Sequence, residues 1–446
     1  MKNIKFLTTE VTELRKRILK KTFFLCLCVS VINFFCVTMV DAQGVYLETS
    51  KGETRKIPVA VVVGSDNVSM ASTVSKVIEA DMTRSMYFDL IKNNGIKING
   101  IPSKLDETVR KQIKAMGIES VIVASITQND RIFKLDGKVY ETGSGELIFA
   151  KRYTGIDTLI RRVVHRFSDE IVFRLTGEKG IAQTRIVYVS DQTGNKELYI
   201  MDYDGYSSRM ITGNKSINLS PSWSRDGLRI AYTSYKDGNP DIYVVDLTTS
   251  KRDKLTTHPG MDISPSWSPD GSLIAFASSM DGNAEIYTMN KEGEDFKRLT
   301  YNNGEDVSPS WSPTGGEIAF TSDRGGSPQI YIMKADGTNQ HRLSFKGEYN
   351  SDPAWSPKGD KIAFACRRNG GFRICTINPD GGGLTEITNG KGSDESPSWA
   401  PDGRRLIFSS SRGGKWNVYM INDDGSNLER LTNNGFNNWG PDWSSN

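Results

Sequence analysis

The sequence is poor in histidine and in net charge. Three histidines in 446 residues leave little room for a metal site with several histidine ligands. The 56 basic and 53 acidic residues give a net charge of +3, too small for a protein that binds nucleic acid through bulk positive charge. Gly-x-Ser-x-Gly and His-Glu-x-x-His motifs are absent. These absences argue against nucleic-acid binding and against the common hydrolase classes, and no cofactor signature is present.

The first 42 residues predict a cleaved signal peptide. A basic segment that extends to Lys21 is followed by an apolar run over 22–40. Val40-Asp41-Ala42 supplies a cleavage site between Ala42 and Gln43. An uncleaved membrane anchor is the alternative. Removing residues 1–42 takes away 7 of the 56 basic residues, 3 of the 53 acidic ones and 3 of the 5 cysteines, which leaves 49, 50 and 2. We expect no membrane-spanning segment in that remainder.

The second half of the chain is an internal repeat of 44 residues. Tryptophan recurs at that spacing, and proline stands two residues before each one. The six tryptophans are Trp223, Trp267, Trp311, Trp355, Trp399 and Trp443. Each unit contains four short segments rich in aromatic and β-branched residues, separated by turns such as Asp-Gly and Gly-Gly. Four strands in about 44 residues predict one blade of a β-propeller.

The ends of the repeat predict a closed ring. Residues 185–212 supply three strands, and residues 441–446 supply one strand that carries a tryptophan. Together these four strands complete a sixth blade, and pairing the two ends leaves no open sheet edge. We therefore predict a six-bladed β-propeller over 183–446, closed by a strand at 441–446.

The region before the propeller predicts a small α/β domain over 57–182. Apolar and alternating segments predict strands at 57–63, 120–126, 131–140 and 146–153. Helical spacing predicts helices at 68–85, at 105–116 with Ser103 as N-cap, and at 158–175. Residues 43–56 precede the first strand and are expected to be mobile.

This order of parts resembles the TolB family of the Tol–Pal envelope system. The junction between the two domains carries the resemblance most specifically, with His165-Arg166-Phe167-Ser168-Asp169-Glu170, then Leu175-Thr176-Gly177-Glu178-Lys179-Gly180-Ile181, then Thr184-Arg185-Ile186-Val187-Tyr188-Val189-Ser190. The resemblance implies a non-enzymatic scaffold in the periplasm. It also implies that the propeller binds the lipoprotein Pal, that the N-terminal segment binds TolA, and that both support outer-membrane integrity and constriction during cell division. We expect the chain to be a monomer.

An Asn or Asp stands five residues before every repeat tryptophan. These six Asx positions are Asn218, Asp262, Asp306, Asn350, Asp394 and Asn438. We expect their side chains to ring one mouth of the central channel. There they either cap their own turns or accept hydrogen bonds from a partner, and carboxylates such as Asp262, Asp306 and Asp394 suit Ca²⁺. The resemblance implies Pal contacts on these loops, at the six Asx positions and at Met261, Ser264, Val307 and Ser308.

The segment from Gln43 to Glu48 alternates apolar and polar residues. It is either a disordered terminus or a strand that adds to a sheet edge of a partner. The resemblance favours the second interpretation and implies that TolA binds Gln43, Gly44, Val45, Tyr46, Leu47 and Glu48.

Cys366 and Cys375 stand in neighbouring strands of one predicted blade, where the preceding blade has Ser322 and Tyr331. Either a cross-strand disulfide or two buried thiols is consistent with this placement.

Two other functions remain open. A hydrolase or lactonase on a propeller scaffold is the first, although His165, His258 and His341 have no evident triad partners. A glycan-binding propeller is the second. Its contacts would be the loop aromatics Tyr349, Trp416 and Trp439.

Overall fold

The computed structural model describes residues 55–65, 67–92, 95–98 and 100–445. The predicted signal peptide, its cleavage site at Ala42 and Gln43, and the segment from Gln43 to Glu48 lie outside the described residues.

An α/β domain comes first. Its strands are β1 (Ile57–Ser65), β2 (Phe88–Leu90), β3 (Ser120–Asn129), β4 (Ile132–Glu141) and β5 (Leu147–Ile156). Its helices are α1 (Val68–Ser85), α2 (Glu107–Ala115) and α3 (Ile160–Thr176), the last preceded by a short 3-10 turn, Asp157–Leu159. The sheet order is β2-β1-β3-β4-β5, with β1 parallel to its neighbours β2 and β3, and β4 and β5 antiparallel.

Two details of this domain differ from the prediction. Helix α2 begins later than expected, and its N-cap is Asp106, whose carboxylate accepts a hydrogen bond from the Val109 amide at 3.0 Å. Ser103 therefore does not cap the helix. Strand β2 was not predicted because its three residues are too few to show a hydrophobic period.

The α/β core depends on a close approach between β4 and α3. A Cβ built on Gly137 of β4 would stand 2.3 Å from the ring of Phe167, which is fully buried in α3. Only glycine leaves room for that ring, so the helix packs directly on the sheet.

The six-bladed propeller is confirmed, and each blade is a four-stranded antiparallel sheet. Blade 1 joins the chain ends and contains β29 (Asn438–Trp443), β6 (Arg185–Ser190), β7 (Glu197–Asp202) and β8 (Arg209–Met210). Blade 2 contains β9 (Asn218–Trp223), β10 (Arg229–Ser234), β11 (Asp241–Asp246) and β12 (Arg252–Lys254). Blade 3 contains β13 (Asp262–Trp267), β14 (Leu273–Ser278), β15 (Glu285–Asn290) and β16 (Lys297–Arg298).

The remaining blades follow the same pattern. Blade 4 contains β17 (Asp306–Trp311), β18 (Glu317–Ser322), β19 (Gln329–Lys334) and β20 (His341–Arg342). Blade 5 contains β21 (Asn350–Trp355), β22 (Ile362–Arg368), β23 (Gly371–Ile377) and β24 (Thr385–Glu386). Blade 6 contains β25 (Asp394–Trp399), β26 (Arg405–Gly413), β27 (Lys415–Asn422) and β28 (Glu429–Arg430).

The closing strand is Asn438–Trp443 and not 441–446, because each inner strand begins at its Asx residue and ends at its tryptophan.

The tryptophans join neighbouring blades. The indole Nε1 of Trp311 donates to the Ser266 carbonyl at 3.1 Å, and that of Trp399 donates to the Ala354 carbonyl at 3.0 Å. Asp442 makes the equivalent contacts at the seam between blades 1 and 2. Its carboxylate and its carbonyl accept from the backbone N–H and the indole N–H of Trp223, at 2.8 and 3.1 Å. The repeat spacing thus reflects a repeated contact between blades.

Cys366 and Cys375 form a disulfide that joins β22 and β23 of blade 5. The two residues are nine apart in sequence and their Cα atoms are 5.9 Å apart.

Candidate functional site

The two faces of the propeller differ in what covers them. We call the face at which the inner strands begin the Asx face. The α/β domain packs on the opposite face, where α1, α3 and Tyr87 contact the start of β28 and the turns that precede β8 and β26. Arg84 pairs with Glu429, Arg161 pairs with Asp204, and Arg404 stacks on the ring of Tyr87. The described residues of the α/β domain therefore leave the Asx face open.

The side chains at the Asx positions are buried within the propeller and are not exposed at its surface. All six are buried, and the three asparagines hydrogen-bond to the preceding blade. Asn218 shows the pattern. Its Nδ2 donates to Glu197 Oε2 of blade 1 at 2.9 Å, and its Oδ1 accepts from the Ser234 hydroxyl of blade 2 at 2.8 Å. The repeat of Asx therefore reflects the assembly of the blades.

The three aspartates of the set each contact a different basic side chain. Asp306 contacts Arg324 Nη2 at 2.6 Å, and Asp394 contacts Arg412 Nη2 at 2.8 Å. Asp262 contacts His258 Nε2 at 2.9 Å. Each carboxylate thus has its own basic partner within its blade junction. Among the described residues, no three His, Cys, Asp or Glu side chains are grouped closely enough to hold a metal ion.

Burial perturbs these carboxyl groups. Burial and the neighbouring charge of Glu285 raise the pKa of Asp306 to about 6, against the hydrogen bond from Ser322 and the charge of Arg324. Burial and the charge of Asp241 likewise raise the pKa of Asp262. Both aspartates thus sit beside a second carboxylate in the junction, where one proton or one basic side chain relieves the repulsion.

A ring of left-handed residues follows the Asx positions along the inner strands. The second residue after each Asx has a φ between 48 and 54°, and it accompanies an irregularity in the pairing with the next strand. These residues are Ser220, Ser264, Ser308, Asp352, Ser396 and Gly440. Six bulges at matching places bend the inner strands at the channel mouth. The predicted residues Ser264, Val307 and Ser308 lie here and are partly exposed.

Exposed apolar side chains surround this mouth. Met261 is 44% exposed, in the loop that leads into β13, and Ile217, Tyr349 and Phe436 are exposed at or beside the equivalent positions of other blades. Tyr301 and Phe345 are more exposed still, at the start of two of these loops. Exposed apolar side chains gathered on one face are typical of a surface that binds another protein.

One part of the rim is acidic. Glu305, Asp323, Asp352 and Glu395 line a cavity of about 270 Å³ whose wall includes Tyr349. Burial and the neighbouring carboxylates of Asp352 and Asp394 raise the pKa of Glu395. A basic side chain of a partner would relieve this repulsion.

The three histidines do not form a nucleophile–base arrangement. His165 Nδ1 contacts Asp81 at 2.9 Å, His258 contacts Asp262, and His341 Nδ1 lies 3.0 Å from the Asn339 carbonyl. In the part of the chain that the structure describes, His165 Nε2 and both ring nitrogens of His258 have no hydrogen-bonded hydroxyl. This arrangement lacks the nucleophile of a Ser-His-Asp site.

The proposed glycan-contact aromatics all lie at the Asx face. The ring of Tyr349 packs edge-on against Phe372, with centroids 5.3 Å apart and planes at 78°. Trp439 is partly buried below the Lys196 ammonium, and Trp416 is partly buried at the start of β27.

The domain junction contains a buried charge cluster that the sequence did not predict. His165 of α3 lies between Asp81 of α1 and Asp204 of the propeller, at 2.9 and 3.5 Å, and the Tyr203 hydroxyl also donates to Asp81. Burial alone lowers the pKa of His165, but the hydrogen bond that its ring donates to Asp81 and the charges of both aspartates raise it overall. The partners are far apart in sequence, so no local motif indicates the cluster.

No helix in the described residues is long and apolar enough to cross a membrane.

Two family models match the chain. The TolB beta propeller domain matches residues 172–446, and the TolB amino-terminal domain matches residues 45–148. The chain is 39% identical over 196 residues to the Tol-Pal system protein TolB of Geobacter sulfurreducens, which is 42% of this chain and 45% of that protein. It is 38% identical over 117 residues to the protein TolB homolog of Chlorobium chlorochromatii, 26% of this chain and 27% of that protein. The chain thus spans less than half the length of these curated relatives in the matched regions.

A solved structure matches more of the chain. The crystal structure of TolB from Acinetobacter baumannii superposes with a TM-score of 0.76 at 29% identity, and the match covers 89% of this chain and 98% of that one.

Proposed function

Because the chain belongs to the TolB family, we propose that it is a non-enzymatic, monomeric component of the Tol–Pal system in the periplasm. In this proposal the propeller binds Pal through its Asx face, and residues 43–48 bind TolA. Both contacts support outer-membrane integrity and constriction during division. The names of the relatives support the Tol–Pal assignment. The proposal requires no cofactor.

The observation that carries the proposal is the open Asx face. The α/β domain occupies the other face, so a partner of the propeller has free access to the rim of exposed apolar side chains and to its acidic cavity. We assign direct Pal contacts to the accessible residues, namely Met261, Ser264, Val307 and Ser308. We assign a supporting role to the buried Asx positions, which hold the loops between the blades.

This division of roles is tested by replacing one exposed apolar residue on each face. Met261→Ser removes an apolar side chain from the Asx face, and Leu228→Ser removes one from the opposite face as the matched control. The two residues are similarly exposed, Met261 at 44% and Leu228 at 46%. We expect Met261→Ser to weaken Pal binding about tenfold by calorimetry, the usual size for an interface anchor. Leu228→Ser should leave it unchanged. Equal affinities for both variants would place the Pal site elsewhere.

The TolA assignment is tested by deletion. Removing residues 43–54 should abolish the TolA complex and leave Pal binding intact, because the Asx face is built from the propeller alone. TolA binding that survives the deletion would contradict the assignment.

The two other functions are tested by the same preparation. A pull-down from envelope extract should recover Pal. Recovery of peptidoglycan sugars without Pal would instead support a glycan-binding propeller through Tyr349, Trp416 and Trp439, and turnover of ester or lactone substrates would support the hydrolase.

A further inference from the structure

The groove between α1 and blade 6 contains a buried arginine that lacks a full set of partners. Arg405 begins β26 and is only 3% exposed. Its Nε donates to Asn422 Oδ1 at 3.2 Å, while its buried Nη1 has no hydrogen-bond partner among the described residues. Burial lowers the pKa of Arg405, against the favourable charges of Asp402 and Glu429. A buried guanidinium with an unmade hydrogen bond is costly, so its presence calls for a partner.

The internal repeat shows that this burial is special. The equivalent positions of the other blades are partly exposed to solvent. They hold Arg185, Arg229, Leu273, Glu317 and Lys361. Blade 6 differs because α1 packs over it, so that Arg405 lies in a groove of about 530 Å³. The blade fold itself therefore does not require an arginine at this position.

The charges around the groove favour an anion. Helix α1 contributes Lys76, Glu79 and Arg84 from one face, at helical spacing. Arg84 is already paired with Glu429 through two hydrogen bonds of 3.1 and 2.5 Å, and Glu79 accepts from the Ser75 hydroxyl at 2.6 Å. In the described part of this groove, the charges without an ion-pair partner are then Lys76 at the rim and Arg405 in the wall, against the single carboxylate of Glu79.

We propose that this groove binds one oxyanion, a carboxylate or a phosphate group, through Arg405 with Lys76 at its rim. A small outward rotation of the guanidinium presents Nη1 to the anion. Arg405 then gains the charge-assisted hydrogen bond that it lacks, which arginine makes equally well to planar carboxylates and to phosphates. The site is separate from the Asx face, and it does not depend on Pal or TolA binding.

The first test is titration of the full chain with inorganic phosphate and with succinate at constant ionic strength, followed by nuclear magnetic resonance. We expect saturable binding of at least one of them, and about tenfold weaker binding by Arg405→Gln, which removes the charge and keeps a donor for Asn422. Arg229→Gln is the matched control, since it removes the same side chain at the equivalent position of blade 2. It should bind like the wild type. Tighter binding of phosphate indicates a phosphate-bearing ligand, and tighter binding of succinate indicates an organic acid.

The second test supplies the anion from within the protein. Ala80→Glu places a carboxylate on the groove-facing side of α1, because Ala80 also lines the groove. This variant should melt at a higher temperature than the wild type and should no longer bind the added anion. Absence of saturable binding to the wild type, equal binding by Arg405→Gln, or an equal loss in Arg229→Gln would each overturn the proposal. If Arg405→Gln fails to fold, unchanged anion binding by Ala80→Glu would overturn it.

Discussion

Blade 5 departs from the other blades at the two positions of its disulfide, and this departure yields a quantitative prediction. At the position of Cys366 the other five blades carry serine, and in blade 2 the hydroxyl of that serine, Ser234, donates to Asn218 Oδ1 at 2.8 Å. In blade 5 the partner of Cys366 in the strand register is Asn350, whose buried Oδ1 has no donor in the described part of the chain. The disulfide therefore stands where blade 2 makes a hydrogen bond between its serine and its Asx residue.

The two contributions differ in size. The cross-link closes a loop of nine residues in sequence separation, and the chain-entropy model gives such a loop about 2.5–3 kcal/mol of stability. A hydrogen bond to a buried amide oxygen contributes about 1 kcal/mol. The disulfide should therefore dominate, and a serine at position 366 should recover about a third of what its loss costs.

Two double variants that differ by one hydroxyl separate these contributions. Cys366→Ala with Cys375→Ala removes the cross-link and should lower the free energy of unfolding by about 3 kcal/mol. Cys366→Ser with Cys375→Ala should lower it by about 2 kcal/mol, because the serine can donate to Asn350. Urea unfolding, followed by circular dichroism with and without a reducing agent, measures both.

Ser234→Ala in blade 2 is the control, since it removes the equivalent hydroxyl where no disulfide exists. It should cost about 1 kcal/mol. Equal unfolding midpoints of the two double variants would refute the reasoning. It would also be refuted if the reducing agent lowered the stability of the variants without cysteines as much as that of the wild type.

Three further changes test other contacts described above. His165→Gln should flatten the pH dependence of stability near neutrality. Because the pKa of His165 is raised in the folded protein, its contribution to stability is complete below about pH 6.5 and is lost as the pH rises through the raised pKa. Thermal melts from pH 5 to 9 measure this dependence. Asp442→Asn should stabilise the protein by about 2 kcal/mol at pH 7 and should leave its stability unchanged at pH 4. Burial raises the pKa of Asp442 to about 6, so ionisation of this carboxyl opposes folding as the pH rises from about 4 to 6. Gly137→Ala should cost more than about 2 kcal/mol in urea unfolding through its clash in the α/β core, whereas Gly64→Ala, which meets nothing within 4 Å, should cost under about 0.5.

The fold could be predicted because its evidence is local and repeated. Each blade repeats the Pro-x-Trp pattern in register, and α1 has the predicted bounds, 68–85, since its apolar residues keep helical spacing over 18 residues. Short elements were not predicted because they are too short to show such a pattern. Strand β2 is three residues long, and the N-cap of α2 was misassigned because Ser103 and Asp106 are both good caps and only the packed structure selects between them.

The candidate site was harder to predict because a repeat does not distinguish architecture from function. The Asx pattern correctly marked the start of each inner strand, but it did not reveal that the side chains point between the blades. In contrast, Met261 and Tyr349 occupy the same position of the repeat, and the residue type at that position varies from blade to blade. The other blades carry Ile217, Glu305, Ser393 and Asn437 there. Their exposure emerges only once the loops are placed in three dimensions.

The internal repeat therefore works best as a comparison of six versions of one position. Where all six blades agree, as at the tryptophans and the Asx residues, the shared residue is buried in every blade. Where one blade disagrees, the fold does not require the residue, and another cause must explain it. Cys366 is explained by the disulfide. Arg405 has no such explanation within the blade, since the same position elsewhere accepts Leu273 or Glu317, and a buried guanidinium with an unmade hydrogen bond is costly. An anion supplied from outside the chain accounts for that arginine where the architecture of the propeller does not.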